Sequence, residues 1–369
     1  MDVLKDKFVA LLRFSLGVDA DFCFRLTPEE WESVYGLAEK QLMLGILYGG
    51  VSRLQAEFRP PREIAFQWAS DAESTRGLNQ KFYDEAARLT RFVDAEGRRS
   101  AILKGPANAR LYPDRFARQL GDIDIWVDGG KKDVIDWLRQ KKLLEGSEKS
   151  SHHVHMVSNE KGISVEVHFR PSSGFFNPFL NARLQKYLRE ELVDLLPVPE
   201  GFNVPSAMFA LVMQLAHIER HLLTGGVGLR QITDYFILLR SATPEERDYV
   251  ASRLKYLGLG VMGGAMMWVL QKIFALDASL LLCRPDARRG HLLLDEVLAG
   301  GNFGNYAAWQ QYRALRRICY KRMRAFRIMA FHWSEGVFFA FFDWKRIFLS
   351  IPLRIRYRTL SLRDMPPHN

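Results

Sequence analysis

Apolar positions in the first 97 residues recur three and four apart, the rhythm of helices with one buried face. "TPEEWESVYGLAEKQ" opens on Thr27, with Pro28 at the first helical position and Glu30 three residues after the threonine, so a capping box starts a helix there. "PPREIAFQWASDAESTRGLNQKFYDEAARLTRFVDAEG" carries the helical period onward through a long charged and apolar stretch. At "SAILKG" the rhythm changes. Short runs of strand character occupy 101–104, 123–128, 153–157 and 163–169, and "KKDVIDWLRQKKLL" between the second and third has helical spacing. A further helical turn after Gly105 completes the order strand, helix, strand, helix, strand, strand, which predicts a small mixed sheet within residues 99–170. From about residue 180, "SAMFALVMQLAHIERHLL" and "LRQITDYFILLRSA" are helical again, and "TPEERDYVASRLKYLG" repeats the cap with Thr243, Pro244 and Glu246. The two "TPEE" starts share nothing else, so they mark helices and not a repeat. The expected fold class is α+β: a small mixed β-sheet core flanked by N-terminal and C-terminal helical regions. The expected division is 1–97 helical, 98–175 the α/β core, 176–300 a helical domain closing a cleft, and 301–369 a basic, aromatic helical tail.

Composition sharpens this in three ways. Hydrophobic residues make up 48% of 369 residues, enough for a packed interior. Three widely spaced cysteines, Cys23, Cys283 and Cys319, form neither a disulfide framework nor a paired metal site, and fit a reducing cytoplasm. "MDVLKDKFVALLRF" makes a poor signal peptide, and no apolar run is long enough to span a bilayer. The net charge of +10 is local: residues 311–363 hold thirteen lysines and arginines against two acids, Glu335 and Asp343. Any argument from basicity for an anionic partner belongs to that segment.

Candidate chemistry begins at "GDIDIW", residues 121–126. In a strand, positions two apart share a face, so Asp122 and Asp124 project together while Ile123 and Ile125 enter the core, with Trp126 as a further anchor. Two carboxylates about 6–7 Å apart on one face repel and call for a cation between them. A divalent ion with oxygen ligands is the natural candidate; a solvated acidic strand end is the plainer reading of a bare Asp-x-Asp. "ISVEVHFR" supplies a third acid, Glu166, which shares its strand face with His168 opposite Val165 and Val167. If the two strands pair, three carboxylates converge as a two-metal phosphoryl-transfer site requires. Upstream, Gly105 permits a tight turn, the helix after it offers free backbone N–H groups to an anion, and Lys104 adds positive charge.

These motifs together resemble the uncharacterised bacterial nucleotidyltransferase family of the DNA polymerase β-like superfamily. The likeness rests on Leu103–Lys104–Gly105, Leu111–Tyr112–Pro113, Arg118, Asp122–Ile123–Asp124, and Glu166–Val167–His168, with "HIERHLLTGGVGLRQITDYF" as a further match, and spans about residues 100–240. The resemblance implies a nucleotidyltransferase fold in which Asp122 and Asp124 bind Mg²⁺ (or Mn²⁺) on the phosphates of an NTP. Glu166 would complete the metal site and help activate an acceptor hydroxyl. The acceptor oxygen would attack the α-phosphate and expel pyrophosphate. Lys104, Gly105, Arg118 and Arg230 are the implied nucleotide-binding residues. The wider superfamily carries Gly-Ser at the phosphate turn; here Lys104-Gly105-Pro106 has no hydroxyl, and Lys104 stands in as a point charge.

His155, His168, His217 and His221 are candidates for the acceptor side. His217 and His221, four apart on a helix, have metal-ligand spacing but no evident third ligand, so holding the acceptor or packing on the sheet fits them better. His153 and His155 share a strand face, and His155 could approach the cleft. Arg118 has a triphosphate or structural role beside Asp122. Arg230 either pairs with Asp234 one turn on or faces phosphates. "GGVG" at 225–228 follows no strand and reads as a helix–helix loop. In the tail, arginines interleaved with aromatics fit a helical pair packed on the body, an anionic membrane surface or partner reached through 311–363, or RNA. Two other readings of function stand beside a transferase acting on an unknown small or large acceptor. One is a nucleotidyltransferase acting on nucleic-acid ends; the other is a catalytically weak scaffold with a membrane-surface tail. The expected location is cytoplasmic, with peripheral attachment to a membrane surface through the tail.

Overall fold

The structure is a computed structural model describing residues 3–146, 150–158, 160–301 and 314–356. The parts of the tail expectation that rest on 311–313 and 357–363 lie outside the described residues. Helices α1 (Val3–Ser15), α2 (Pro28–Lys40) and α3 (Leu44–Val51) lead into the 34-residue α4 (Arg62–Ala95). Both predicted caps form. At α2 the Thr27 hydroxyl accepts from Glu30 N while Glu30 accepts from Thr27 N, and Thr243 and Glu246 repeat the exchange at the start of α10 (Pro244–Arg253). Helix α4 links two cores. Its first half places Trp68 among the apolar residues of α1–α3 and of the later helices, and its second half lays Phe82, Ala86, Leu89 and Val93 on the back of the sheet.

The core follows as β1 (Ser100–Ile102), the one-turn α5 (Pro106–Ala109), β2 (Asp122–Val127), α6 (Lys131–Gln140), β3 (Leu144–Glu145), β4 (His153–Met156) and β5 (Ser164–His168). The five-stranded sheet runs β1-β2-β5-β4-β3, with β2 and β5 parallel and the other pairs antiparallel. The helical pattern expected through "KKLL" stops early: Lys142 takes φ +58, the chain reverses, and Leu144 opens the edge strand β3.

Helix α7 (Pro178–Glu190) and a small hairpin, β6 (Leu196–Pro197) with β7 (Asn203–Val204), precede α8 (Ala207–Thr224) and α9 (Leu229–Ser241). After α10 come α11 (Gly260–Phe274), α12 (Ala287–Gly300), α13 (Ala314–Met329) and α14 (Trp333–Arg356). The apolar faces of α1–α3 and of α8–α12 share one core, so the segments before and after the sheet close over one side of it together. Among the described residues no helix is long and apolar enough to cross a membrane.

Strand alternation sorts the sheet. Ile123, Ile125, Val127, Val165, Val167, Val154 and Met156 all enter the core behind it. Trp126 does not anchor there with Ile123 and Ile125 as expected. It lies two residues beyond Asp124, so it shares the aspartates' face and packs with Ala101, Leu103 and Tyr112 in the helical core.

Candidate functional site

The parallel register sets Asp124 beside Glu166 and Asp122 beside Ser164. Carboxylate oxygens of Asp122, Asp124 and Glu166 all lie within 4.8 Å of one another, an arrangement that could hold a metal ion. Asp124 is fully buried. Its Oδ1 accepts from Lys104 Nζ and from His168 Nε2, both at 2.9 Å, while Oδ2 is buried with no partner among the described residues. A buried, unsatisfied carboxylate oxygen is costly, and a cation there would satisfy it.

Electrostatics divide the two aspartates. Burial pushes the Asp124 carboxyl up, but Lys104 and His168 outweigh it and hold it well below the usual carboxylate range. Asp122 shifts upward, first because Asp124 is charged and second because it is desolvated. Burial would lower Lys104, yet Asp124, Asp122 and Glu166 raise it to about 12, so it stays cationic. Glu166 is lowered against its burial by hydrogen bonding to His168. His153 Nδ1 sits 3.0 Å from Glu166 Oε2. This histidine pairs across β4 and β5 with His168, and His155 pairs with Glu166. His155 is nonetheless exposed and is not among the residues lining the cleft. His152, which the sequence reading passed over, does line the cleft and is held neutral, its pKa lowered to about 3 chiefly by burial.

The turn after β1 differs from expectation. Gly105 does take φ +63, and a Cβ there would stand 3.0 Å from the Asp122 carbonyl oxygen, so the turn requires glycine. The helix it opens lasts one turn. Pro106 has no N–H, and the amides of Ala107 and Asn108 donate to the Lys104 and Gly105 carbonyls. The free backbone donors expected for an anion are therefore spent at these positions. Asn108 supplies a side-chain donor in their place: it lines the cleft, is 3% exposed, and its Nδ2 has no partner among the described residues.

Two buried polar devices fix the segment that delivers Asp122. Asn79 on α4 donates to the carbonyls of Phe116 (2.6 Å) and Arg118 (2.9 Å) and accepts from Leu120 N (3.2 Å). Arg118 grips Asp234 of α9 with both edges, Nε to Oδ1 at 2.8 Å and Nη2 to Oδ2 at 2.5 Å, and Tyr112 donates to the same Oδ1 at 2.8 Å. Arg118 thus ties the sheet to the helical half. Arg230, one turn before Asp234, instead donates to the Gln119 carbonyl at 2.6 Å. Its Nε is buried with no partner among the described residues, and burial followed by the neighbouring Arg118 lowers it to about 10.

These groups line a cleft of about 590 Å³ between the sheet and helices α8 and α9. Lys104, Asn108, Asp122, Glu166 and His168 face it from the sheet side, and His217, Arg220, His221 and Arg230 from the helices. The rings of His217 and His221 stand edge to face, centroids 4.2 Å apart. Burial first, and then Lys104, lowers both, His221 to about 4, so both are neutral near pH 7. Neither joins a group of metal donors among the described residues.

Residues 27–275 match the profile of a family described as uncharacterised nucleotidyltransferase. Among solved structures, an antigenic nucleotidyltransferase-like protein from Paracoccidioides brasiliensis matches at 16% identity, covering 56% of this chain and 94% of that one with a TM-score of 0.33. The polymerase core of TRAMP, an RNA surveillance complex, matches at 18% identity over 70% of this chain and 63% of that one, TM-score 0.20. No curated protein matches the chain significantly.

Proposed function

The chain belongs to the uncharacterised nucleotidyltransferase family, and we propose that it is a metal-dependent enzyme moving an NMP from an NTP to a hydroxyl or phosphate acceptor, with release of pyrophosphate. The observation that carries this is the convergence of Asp122, Asp124 and Glu166 on one sheet face, with a wholly buried Asp124 oxygen left unpaired. That donor set fits Mg²⁺ or Mn²⁺, which when bound would neutralise phosphate charge and lower the barrier to in-line displacement. Lys104 and the inward edge of Arg230 lie on opposite walls of the cleft and would bind the triphosphate between them; Asn108 adds a neutral donor. Gly105 keeps the turn close against Asp122, and Arg118 positions the segment by holding Asp234. His217 and His221, both neutral, offer hydrogen bonds to an acceptor without repelling a metal. The acceptor oxygen attacks the α-phosphorus, the bond to the bridging oxygen breaks, and pyrophosphate leaves. The acceptor's proton passes to Glu166, whose Oε2 lies 3.4 Å from His168 Nε2 and 3.0 Å from His153 Nδ1.

The test is incubation of each α-labelled NTP with Mg²⁺ and a cell extract, beside an Asp122→Asn, Asp124→Asn double variant. A labelled product made only by the wild type supports the reading and identifies the acceptor class. Label transfer that survives in the double variant removes the aspartates from the chemistry. Strong, salt-sensitive RNA affinity with labelled RNA as product would favour action on nucleic-acid ends.

The tail supports a second, separate reading: docking on an anionic bilayer surface. On α14, Trp333, Val337, Phe341, Trp344 and Phe348 recur four and three apart and are all exposed, Trp333 by 74%. Such a stripe in a segment of +11 charge matches a helix lying in a lipid interface. Co-sedimentation with phosphatidylserine vesicles, weakened by salt and by Phe341→Ser with Phe348→Ser, is the expected result. Concentration-dependent dimerisation that buries the stripe, or no binding to these vesicles, would overturn it.

A further inference from the structure

We infer that the imidazoles of β4 and β5 build a second cation position beside the oxygen-only one, and that its donors suit a first-row transition dication better than Mg²⁺. The inference rests on the nucleotidyl-transfer reading only in that both positions share Glu166. His153, Glu166 and His168 form a donor group of their own, with atoms within 4.8 Å of one another. His153 Nδ1 and His168 Nε2 stand 3.0 and 3.4 Å from the same oxygen, Glu166 Oε2. Metal–ligand bonds of roughly 2.0–2.2 Å at right or tetrahedral angles place neighbouring donors about 3.0–3.5 Å apart, so these separations suit coordination with little movement.

The pairing is also poor as a simple hydrogen bond. His153 Nδ1 is buried and close to the carboxylate, yet no hydrogen bond forms there. Beside it, Asp124 is wholly buried with Oδ2 unpaired, while its Oδ1 accepts from His168 Nε2 at 2.9 Å, so a metal taking Nε2 requires the imidazole proton to move to Nδ1, which is buried with no partner among the described residues. All these donors sit on hydrogen-bonded strands, where the β2–β5 and β4–β5 registers fix their spacing. Mg²⁺ takes oxygen ligands and sheds water reluctantly, whereas imidazole suits the metals from the middle to the end of the first row. A site with two imidazoles and one carboxylate therefore distinguishes between the two classes, and a cleft holding both kinds of position could load them with different metals.

The experiment uses the full chain titrated with Mn²⁺ and read by pulsed EPR for coupling to ¹⁴N. Wild type should show coupling from both His153 and His168. His153→Gln should lose one of the two, and Asp122→Asn should keep both. A large excess of Mg²⁺ should remove oxygen-bound Mn²⁺ and leave the nitrogen-coupled signal. Bound Mn²⁺ with no nitrogen coupling would overturn this inference and leave the proposed function standing; no Mn²⁺ binding at all would overturn both. Wild-type protein loaded with Co²⁺ gives a reading independent of whether the variant folds. Strong visible bands of a low-coordinate nitrogen–oxygen site are expected, and the weak bands of an all-oxygen octahedron would refute the site.

Discussion

Replacing Lys104 with methionine keeps the aliphatic stem and removes the ammonium placed directly on Asp124. Its Nζ lies 2.9 Å from Oδ1 of a carboxylate with no solvent exposure. Removing one partner of a buried pair typically costs about 3–5 kcal/mol. His168 stays bonded to the same oxygen at 2.9 Å, so the lower end, about 3 kcal/mol, is expected in denaturant unfolding without metal. The consequence for metal runs the other way. At an effective dielectric near 20, a charge pair this close is worth roughly 6 kcal/mol before desolvation, and a dication landing on Asp124 must give up part of that to the ammonium's repulsion. Mn²⁺ should therefore bind K104M more tightly and raise its Tm more than it raises the wild type's. At 100 times its dissociation constant the ion would restore about 2.7 kcal/mol, most of the deficit. Triphosphate affinity should fall in the same variant, because its point charge on that wall is gone. The assays are urea unfolding and thermal melts with and without Mn²⁺, together with calorimetry using a non-hydrolysable NTP. Equal stability of K104M and wild type without metal, and equal stabilisation by Mn²⁺, would show that Lys104 neither neutralises Asp124 nor competes with metal there.

Asp234→Asn leaves the buried Arg118 guanidinium without its counter-charge and should cost about 3 kcal/mol in urea unfolding; a double variant, Arg118→Met with Asp234→Leu, should recover much of it. Asn79→Ala removes three hydrogen bonds from the segment before β2, costing roughly 1–3 kcal/mol, and hydrogen exchange at the Leu120 amide should accelerate more than at α11. His332 pairs with Glu219 in the interior and its pKa is raised above 6.5, because hydrogen bonding to Glu219 outweighs burial. A raised folded pKa means the contribution is complete below 6.5 and lost as pH rises through the folded value. His332→Gln should thus be less stable than wild type at pH 6 and much closer to it at pH 9; a gap that grows with pH would refute the pairing.

Much of the site could be read from local rules. Alternation along "DIDIW" puts Asp122 and Asp124 on one strand face, and along "VEVHF" puts Glu166 and His168 on one strand face, because the strand repeat is two residues. The parallel β2–β5 register is what makes the two faces one. The Thr27 and Thr243 caps were equally legible, since a capping box closes within four residues. The same alternation could have put Trp126 on the aspartates' face, and the proline after Gly105 signalled that one backbone donor was missing.

What the sequence by itself determined, then, is the set of side chains each element presents: two aspartates on one face of its strand, a glutamate and a histidine on one face of another, and apolar residues on the opposite faces. Tertiary structure decided which of those side chains meet. Arg118 finds Asp234 across 116 residues of chain, and Asn79 finds the segment before β2 across about forty. His153 lines the cleft with its Nδ1 3.0 Å from Glu166, whereas His155, although paired with Glu166 in the sheet, is exposed and outside the cleft lining. Short-range periodicity fixes the direction in which a side chain leaves the backbone. Long-range packing fixes what stands opposite it, and so decides which charges are buried together and which polar atoms are left for a ligand.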